Sequence, residues 1–472
     1  MPPWRARKFI YYLQRVLSLK KFHLPRITRP LAWHLNRACG PLSLRRLSGL
    51  KWFWLDGAFS QAQESCSTDY IPLFALAAGA SAGAIGVLAA AANLLSIGGF
   101  LAGAAVASRL RRRKPFVIIA GGGASRFLLV LLALSPLVAG HGALLVALLI
   151  AINAARIMLG SFANPPWTAM VADLVPPDVR GRYFASRNTA IGVVALVMSP
   201  CAGWFARTIN TRTSHDLLGY QATLLLAFAC GMISTYSFSR IPEPPVAVPA
   251  RLRRRTRNVL DLMRRNPAFS WLAASSFVWG LSLNLASPFF NVYLVTGLGG
   301  TAANVGIATG VTALTGLAGQ ALFGRLSDQR GNRAVLMFTG ILIPILPILW
   351  AFALVPWHVY LINLAAGVLW AGYNLASFNM LLELSPQEDR ESGVALYQSA
   401  VSASAVLGPL AGGLLIATVG YHAVFILSGS GRLVGSILFV LFVRPSAAGG
   451  SAQGPPGGSG LHGKPREPWG EA

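Results

Sequence analysis

The ten residues GRLSDQRGNR, Gly324 to Arg333, lie between two long apolar runs, 301–323 and 334–355. Gly324, then Asp328 four positions on, then Arg330, Gly331 and Arg333 make a tight charged turn between segments with almost no charge of their own. Such a turn belongs either at a membrane surface or between the buried helices of a very large core. The rest of the chain decides which.

Composition decides it first. A soluble chain of 472 residues would form two or three domains and carry about a quarter charged residues. Here 54% of residues are apolar, 12% are charged and the mean hydropathy is positive. The chain therefore reads as an integral membrane protein. The net charge of +25 sits mostly in segments flanking the apolar runs, so no soluble basic domain is left to bind nucleic acid. Cys39, Cys66, Cys201 and Cys230 are far apart, without paired spacing or histidine partners, and give neither a disulfide framework nor a metal site. The sequence carries no Walker run, metal-ligand cluster or nucleophile–base arrangement. An enzyme is not expected, and no cofactor is implied.

Twelve runs are long enough to cross a hydrocarbon layer of about 30 Å at about 1.5 Å per residue. They fall near 52–78, 83–108, 115–136, 142–167, 187–207, 217–240, 269–296, 301–325, 334–355, 357–382, 393–418 and 421–443. Residues 1–51 hold twelve Lys or Arg and no acid, and RKFIYYLQRVLSLKKF (7–22) has the pattern of an amphipathic helix lying on an anionic membrane. A basic tail that keeps the N-terminus inside, or a targeting segment, fits the same residues. The connections RLRRRK (109–114), DVRGR (178–182) and RLRRRTR (251–257) fall on that same side, so both termini are expected in the cytoplasm of a cell membrane. Residues 1–50 then form a basic N-terminal segment, 51–240 and 269–443 two six-helix bundles, 241–268 a cytoplasmic linker, and 444–472 a Gly/Pro/Ser-rich tail.

The two halves repeat. DLVPPDVR (173–180) matches ELSPQEDR (383–390), pairing Asp173 with Glu383 and Arg180 with Arg390 at an offset of 210. SPCAG (199–203) answers GPLAGG (408–413), and ASAGAIGV (80–87) answers GTAANVGI (300–307) in the same order.

Twelve runs, a basic middle loop, a duplicated half and the Gly324–Arg333 turn together resemble the major facilitator superfamily over residues 50–443. The resemblance implies an all-α membrane fold of two pseudo-symmetric six-helix bundles, and alternating-access transport of a small-molecule substrate by a monomer. It also implies that loop acids latch the inner helix ends when the cavity faces outward, a role for Asp328 with Arg330 and Arg333. The repeat aligns Asp328 with Ser108, so the first-half loop keeps its positive charge and lacks the acid. GPLAGG resembles a motif that the family's proton-drug antiporters carry in helix 5; here the better copy is in helix 11.

A charge inside a span costs about 2.5–3.5 kcal/mol on insertion scales, so each needs a partner or a water-filled cavity. Five lie well inside: Asp56, Glu64, Arg126, Arg156 and Arg432. By the resemblance, helices 1, 4, 7 and 10 line the cavity, which selects Asp56, Glu64 and Arg156, with Gln61, Asn153, Asn284, Asn291, Trp370, Tyr373 and Asn374 as neutral partners. Counted from the run ends, Asp56 and Arg156 share a level, about 8 and 10 Å above the inner face, and are expected to pair. Glu64 is then left without a cation, and a buried carboxyl of that kind can load and release a proton. These readings point to a proton-coupled secondary transporter of a small organic solute, leaning to efflux. Uptake of a sugar, amino acid or organic anion, and a non-transporting membrane scaffold or receptor, are the alternatives. If the latch is confined to the second half, Asp328→Asn will slow solute flux in proteoliposomes more than any substitution at Ser108; equal effects would count against the asymmetry.

Overall fold

The computed structural model describes residues 44–107, 112–140, 142–175, 177–213, 215–243, 267–384 and 390–443. Among them the regular structure is helical throughout. A bilayer offers the backbone no water, so each segment must satisfy its own peptide groups, and helices do so.

The helices run in chain order. α1 is Leu44–Ser65, continued after a break by the short helix Tyr70–Ala77. α2 is Ala82–Ala107, α3 is Lys114–Ala139, α4 is Ala143–Leu174, α5 is Pro177–Thr213 and α6 is Leu218–Ser239. α7 is Phe269–Thr296, α8 is Ala302–Arg330, α9 is Asn332–Ala351 and α10 is Pro356–Leu384. The last segment, Arg390–Phe442, is divided into α11 and α12 by Gly420, whose φ of 80° and ψ of 173° no helix contains.

Ten of these segments are long and apolar enough to cross a membrane, against twelve expected. The difference has two physical causes. Residues 66–69 leave the α-helix through a succession of turns, so the first run is split in two. The apolar stretch Tyr397–Phe442, 46 residues long, is continuous in composition and holds two of the expected runs, α11 and α12, which meet at Gly420. α3 carries a third irregularity, a π-helical stretch over Val117–Ala124, in which the Ser125 N–H reaches back to the Ala120 carbonyl.

The Gly324–Arg333 stretch is mostly helix and not a turn: residues 324–330 are the end of α8, the chain turns at Gly331, whose φ of 81° is open to glycine, and α9 starts in the next residue. Arg333 then donates to the carbonyls of Val440 and Val443 at 3.2 and 3.3 Å, holding the end of α12. The other half contains the same device: Lys114 Nζ donates to the Ile241 carbonyl beyond α6 at 2.7 Å. There Glu243 also accepts from the backbone N–H groups of Arg113 and Lys114, at 2.7 and 3.1 Å. Asp328 and Arg330 are exposed and form no ion pair among the described residues. Asp173, Arg180, Glu383 and Arg390, the other members of the sequence-derived loop set, lie outside the residues whose side chains the structure describes.

The first six helices meet the last six along two seams, α2 with α11 and α5 with α8. Both seams are built from the repeated motifs. A Cβ on Gly86 would strike the Pro409 carbonyl, and one on Gly306 would strike the Ser199 carbonyl beside Pro200. Gly413 lies against Ala82 and Gly83, and Gly203 against the Ala302 carbonyl. The small residues let the helix backbones touch, and a bilayer rewards close packing because lipid offers no hydrophobic drive between helices. Asn93 adds a hydrogen bond across the seam to the Ala405 carbonyl at 2.8 Å, and Tyr70 holds the Ser199 carbonyl at 2.8 Å within the first half. Overpacking a seam should destabilise the fold by about 1–3 kcal/mol. Gly306→Val is therefore expected to lower the thermal unfolding temperature of the purified protein, whereas Gly324→Ala, whose Cβ meets nothing within 4 Å, leaves it unchanged.

Candidate functional site

A chamber of about 360 Å³ opens within the first six helices, in the size range of small-molecule sites. Helical spacing builds it. Asp56, Ser60 and Glu64 recur every four residues on one face of α1, and Arg156, Gly160, Ala163 and Trp167 every three or four on one face of α4. Gly121, Gly122, Ser125 and Arg126 of α3, Arg187 of α5, and Thr235 and Phe238 of α6 close the walls.

The charges are met in a fixed order. Arg126 donates from Nε to Gln63 Oε1 at 2.9 Å, from Nη1 to the Gly231 carbonyl and Thr235 Oγ1, and from Nη2 to Ser234 Oγ at 2.8 Å. Ser234 Oγ in turn donates to Asp56 Oδ1 at 2.6 Å, so a hydroxyl links the guanidinium to the carboxylate. Arg187 reaches the other oxygen of Asp56 at 4.0 Å, donates to the Phe53 carbonyl at 3.4 Å, and lies over the Phe53 ring with 4.5 Å to its centroid. Glycine makes room for both arginines. A Cβ on Gly231 would come within 2.9 Å of Arg126 Cδ, and one on Gly57 within 2.6 Å of Arg187 Nε.

Arg156 does not pair with Asp56. Its Nε and Nη2 donate to Asn153 Oδ1 at 3.3 and 3.2 Å, and the acid within its electrostatic reach is Glu64. Glu64 is exposed to the chamber and lies within reach of Arg126 as well, so it has the cations that the sequence reading withheld from it. The reason is helix length. α1 begins at Leu44 and α4 continues through Pro165 and Pro166 to Leu174, beyond the apolar runs used to estimate depth. From those ends Arg156 and Glu64 lie about 27 and 30 Å along their helices, and Arg187 and Asp56 about 15 and 18 Å. The levels pair off as the structure does.

Of the sequence-derived candidates, Asp56, Glu64 and Arg156 line the chamber, and Asn153 orients Arg156 from behind. Gln61 donates to Ser65 at 3.4 Å within α1. The second-half candidates are elsewhere. Asn284 caps the Gly280 carbonyl at 2.8 Å inside α7, and Asn374 is exposed on α10. Tyr373 stacks on Trp279 at 4.2 Å with Trp370 edge-on to both, beside Arg432, which is 2% exposed. Asn291 donates at 3.1 Å to Asp69, which also accepts from Thr309 at 2.9 Å. Asp69 and Arg187 are the functional groups that sequence reading missed. Asp69 is an acid inside the first apolar run and was open to notice; Arg187 sits at the first position of its run, where it reads as a boundary.

A sequence model of the Major Facilitator Superfamily matches residues 47–301 and again 272–471. The chain is 27% identical over 185 residues to a multi-drug resistance efflux pump PmrA homolog of Lactococcus lactis, and 29% identical over 187 residues to the multidrug resistance protein MdtG of Citrobacter koseri. Each alignment covers 38% of this chain and 45% of the relative, so the chain spans about half the length of the curated relatives it matches. Its fold is similar to that of a bacterial homologue of the iron transporter ferroportin in an inward-facing state, with a TM-score of 0.65 at 16% identity over 85% of this chain and 100% of the other.

Removing one member of a buried charge set strands the others and costs about 3–5 kcal/mol. Asp56→Asn should therefore lower the unfolding temperature sharply, and adding Arg187→Gln should restore part of the loss. Additive losses in the double variant would refute the pairing.

Proposed function

Because the chain belongs to the major facilitator superfamily, we propose that it is a secondary active transporter that moves a small amphipathic organic solute out across the membrane by alternating access. The two halves, 51–240 and 269–443, rock about their seams on the linker 241–268, in a monomer with both termini in the cytoplasm of the cell membrane. The efflux direction is supported by the relatives, which are named as multidrug resistance proteins.

The observation that carries the reading is the chamber itself, in which Glu64 is exposed while the neighbouring acid, Asp56, is held by Ser234 and Arg187. An acid that faces the chamber and makes no side-chain hydrogen bond among the described residues is the member of the site suited to proton coupling. One further feature supports alternating access. Asp69 ties α1 to α7 and α8 at the end of the bundle away from the basic connections. With the basic end in the cytoplasm, a tie at the opposite end suits a state that opens inward.

A second reading, uptake of an organic anion, is favoured by Arg156, whose guanidinium faces the same chamber. Solute flux in proteoliposomes with an imposed pH gradient tests the proposal. Wild type should accumulate an amphipathic dye against its gradient, and Glu64→Gln should abolish the response to pH while leaving downhill exchange. Unchanged pH-driven flux in Glu64→Gln would remove Glu64 from the coupling role. Absence of any flux would favour a scaffold.

A further inference from the structure

Among the described residues that line the chamber, three guanidinium groups, Arg126, Arg156 and Arg187, face two carboxylates, Asp56 and Glu64, which leaves one positive charge in excess. Two of the three arginines are committed to protein. Every nitrogen of Arg126 donates to a protein oxygen, and Arg187 is shared between Asp56, the Phe53 carbonyl and the Phe53 ring.

Arg156 is different. Two of its nitrogens share a single acceptor, Asn153 Oδ1, and its Nη1 has no hydrogen-bond partner among the described residues. The residue is 9% exposed, and that remaining access is to the chamber, which it lines. Asn153, itself 7% exposed, fixes one edge of the guanidinium and leaves the other open. A planar fork with an open edge matches a carboxylate or a comparable oxyanion. Glu64 acts on Arg156 through space and makes no hydrogen bond to it among the described residues, so this acid does not take up the open edge.

Resting on the transporter reading above, we propose that the chamber selects solutes that carry one negatively charged head group, received by the open edge of Arg156. Counting charge gives the same answer as counting donors. An anionic head brings the chamber to three positive and three negative groups, whereas a cationic head makes four against two. Like charges crowded in this way oppose binding. The apolar body of the solute would lie along Ile157, Ala163 and Trp167 on the same wall of α4.

A matched pair of probes tests this: 2-naphthoate and 2-naphthylmethylammonium, the same ring with opposite charge. Binding to the full-length protein in lipid nanodiscs is measured by calorimetry. Naphthoate should bind at least tenfold more tightly than the ammonium probe. Arg156→Gln should erase that preference, and Arg156→Lys, which keeps the charge without the fork, should retain part of it. If Arg156→Gln does not fold, the wild-type preference decides alone. Equal affinities, or tighter binding of the ammonium probe, would overturn the proposal. Flux in proteoliposomes separates the two readings. Outward transport of the cationic probe in place of the anionic one would keep the transporter and discard the anionic head group. Tight naphthoate binding with no flux of either probe would keep the charge preference and discard transport.

Discussion

Taking a charge out of water without a counter-charge costs several kcal/mol, and the first six helices carry three arginines and two acids into one chamber. Much of the local sequence follows from that constraint. Ser234 lies where it can accept from Arg126 and donate to Asp56, so one hydroxyl serves both signs of charge. Gly231 and Gly57 are small because a guanidinium occupies the space that a side chain would take. Phe53 offers Arg187 a ring face in addition to its carbonyl, an arrangement that an arginine accepts and a lysine would use less well. The outcome is a rigid polar wall with two groups held back from it, Glu64 and the open edge of Arg156. Chemistry at the site is left to these two.

The corresponding region of the second half is built on aromatic packing instead. Trp279, Trp370 and Tyr373 fill it, and the remaining space there is lined by Ser275, Ser276, Ser377 and Ser436 with no acid. The repeat therefore preserves the frame and not the polar contents. Its most faithful elements are the small residues of the two seams, where Gly86 meets Pro409 and Gly306 meets Pro200 across the pseudo-symmetry. Each half supplies one glycine surface and one proline-containing surface, and each meets the complementary surface of the other.

Those seams show what was legible in the sequence. The apolar runs and the duplicated motifs could be read directly, because they depend on local composition and on chain order. The turn at Gly331 was legible for the same reason. The partner of Asp56 was not. Depth estimated from apolar runs measures where hydrocarbon would begin, and α1 and α4 continue past that point to Leu44 and Leu174. Arg156 was thereby placed too close to the inner face, and Arg187, at the edge of its run, was set aside as a boundary residue. The break at Gly420 falls between the runs 393–418 and 421–443, as read, whereas the one at 66–69 lies inside the run 52–78, where the polar stretch Gln63–Asp69 was its only mark.

The π-helical stretch of α3 sets the facing of the whole chamber wall. A wide turn accommodates one residue more than an α-turn would, so every side chain after it is rotated by about 100° relative to an uninterrupted helix. Arg126 comes directly after that stretch, and its hydrogen bonds to α1 and α6 depend on the rotation. Val117–Ala124 is thus a register adjuster encoded by chain length: loss of a single residue there would turn the arginine away from Ser234 and Gln63 without altering any side chain of the site.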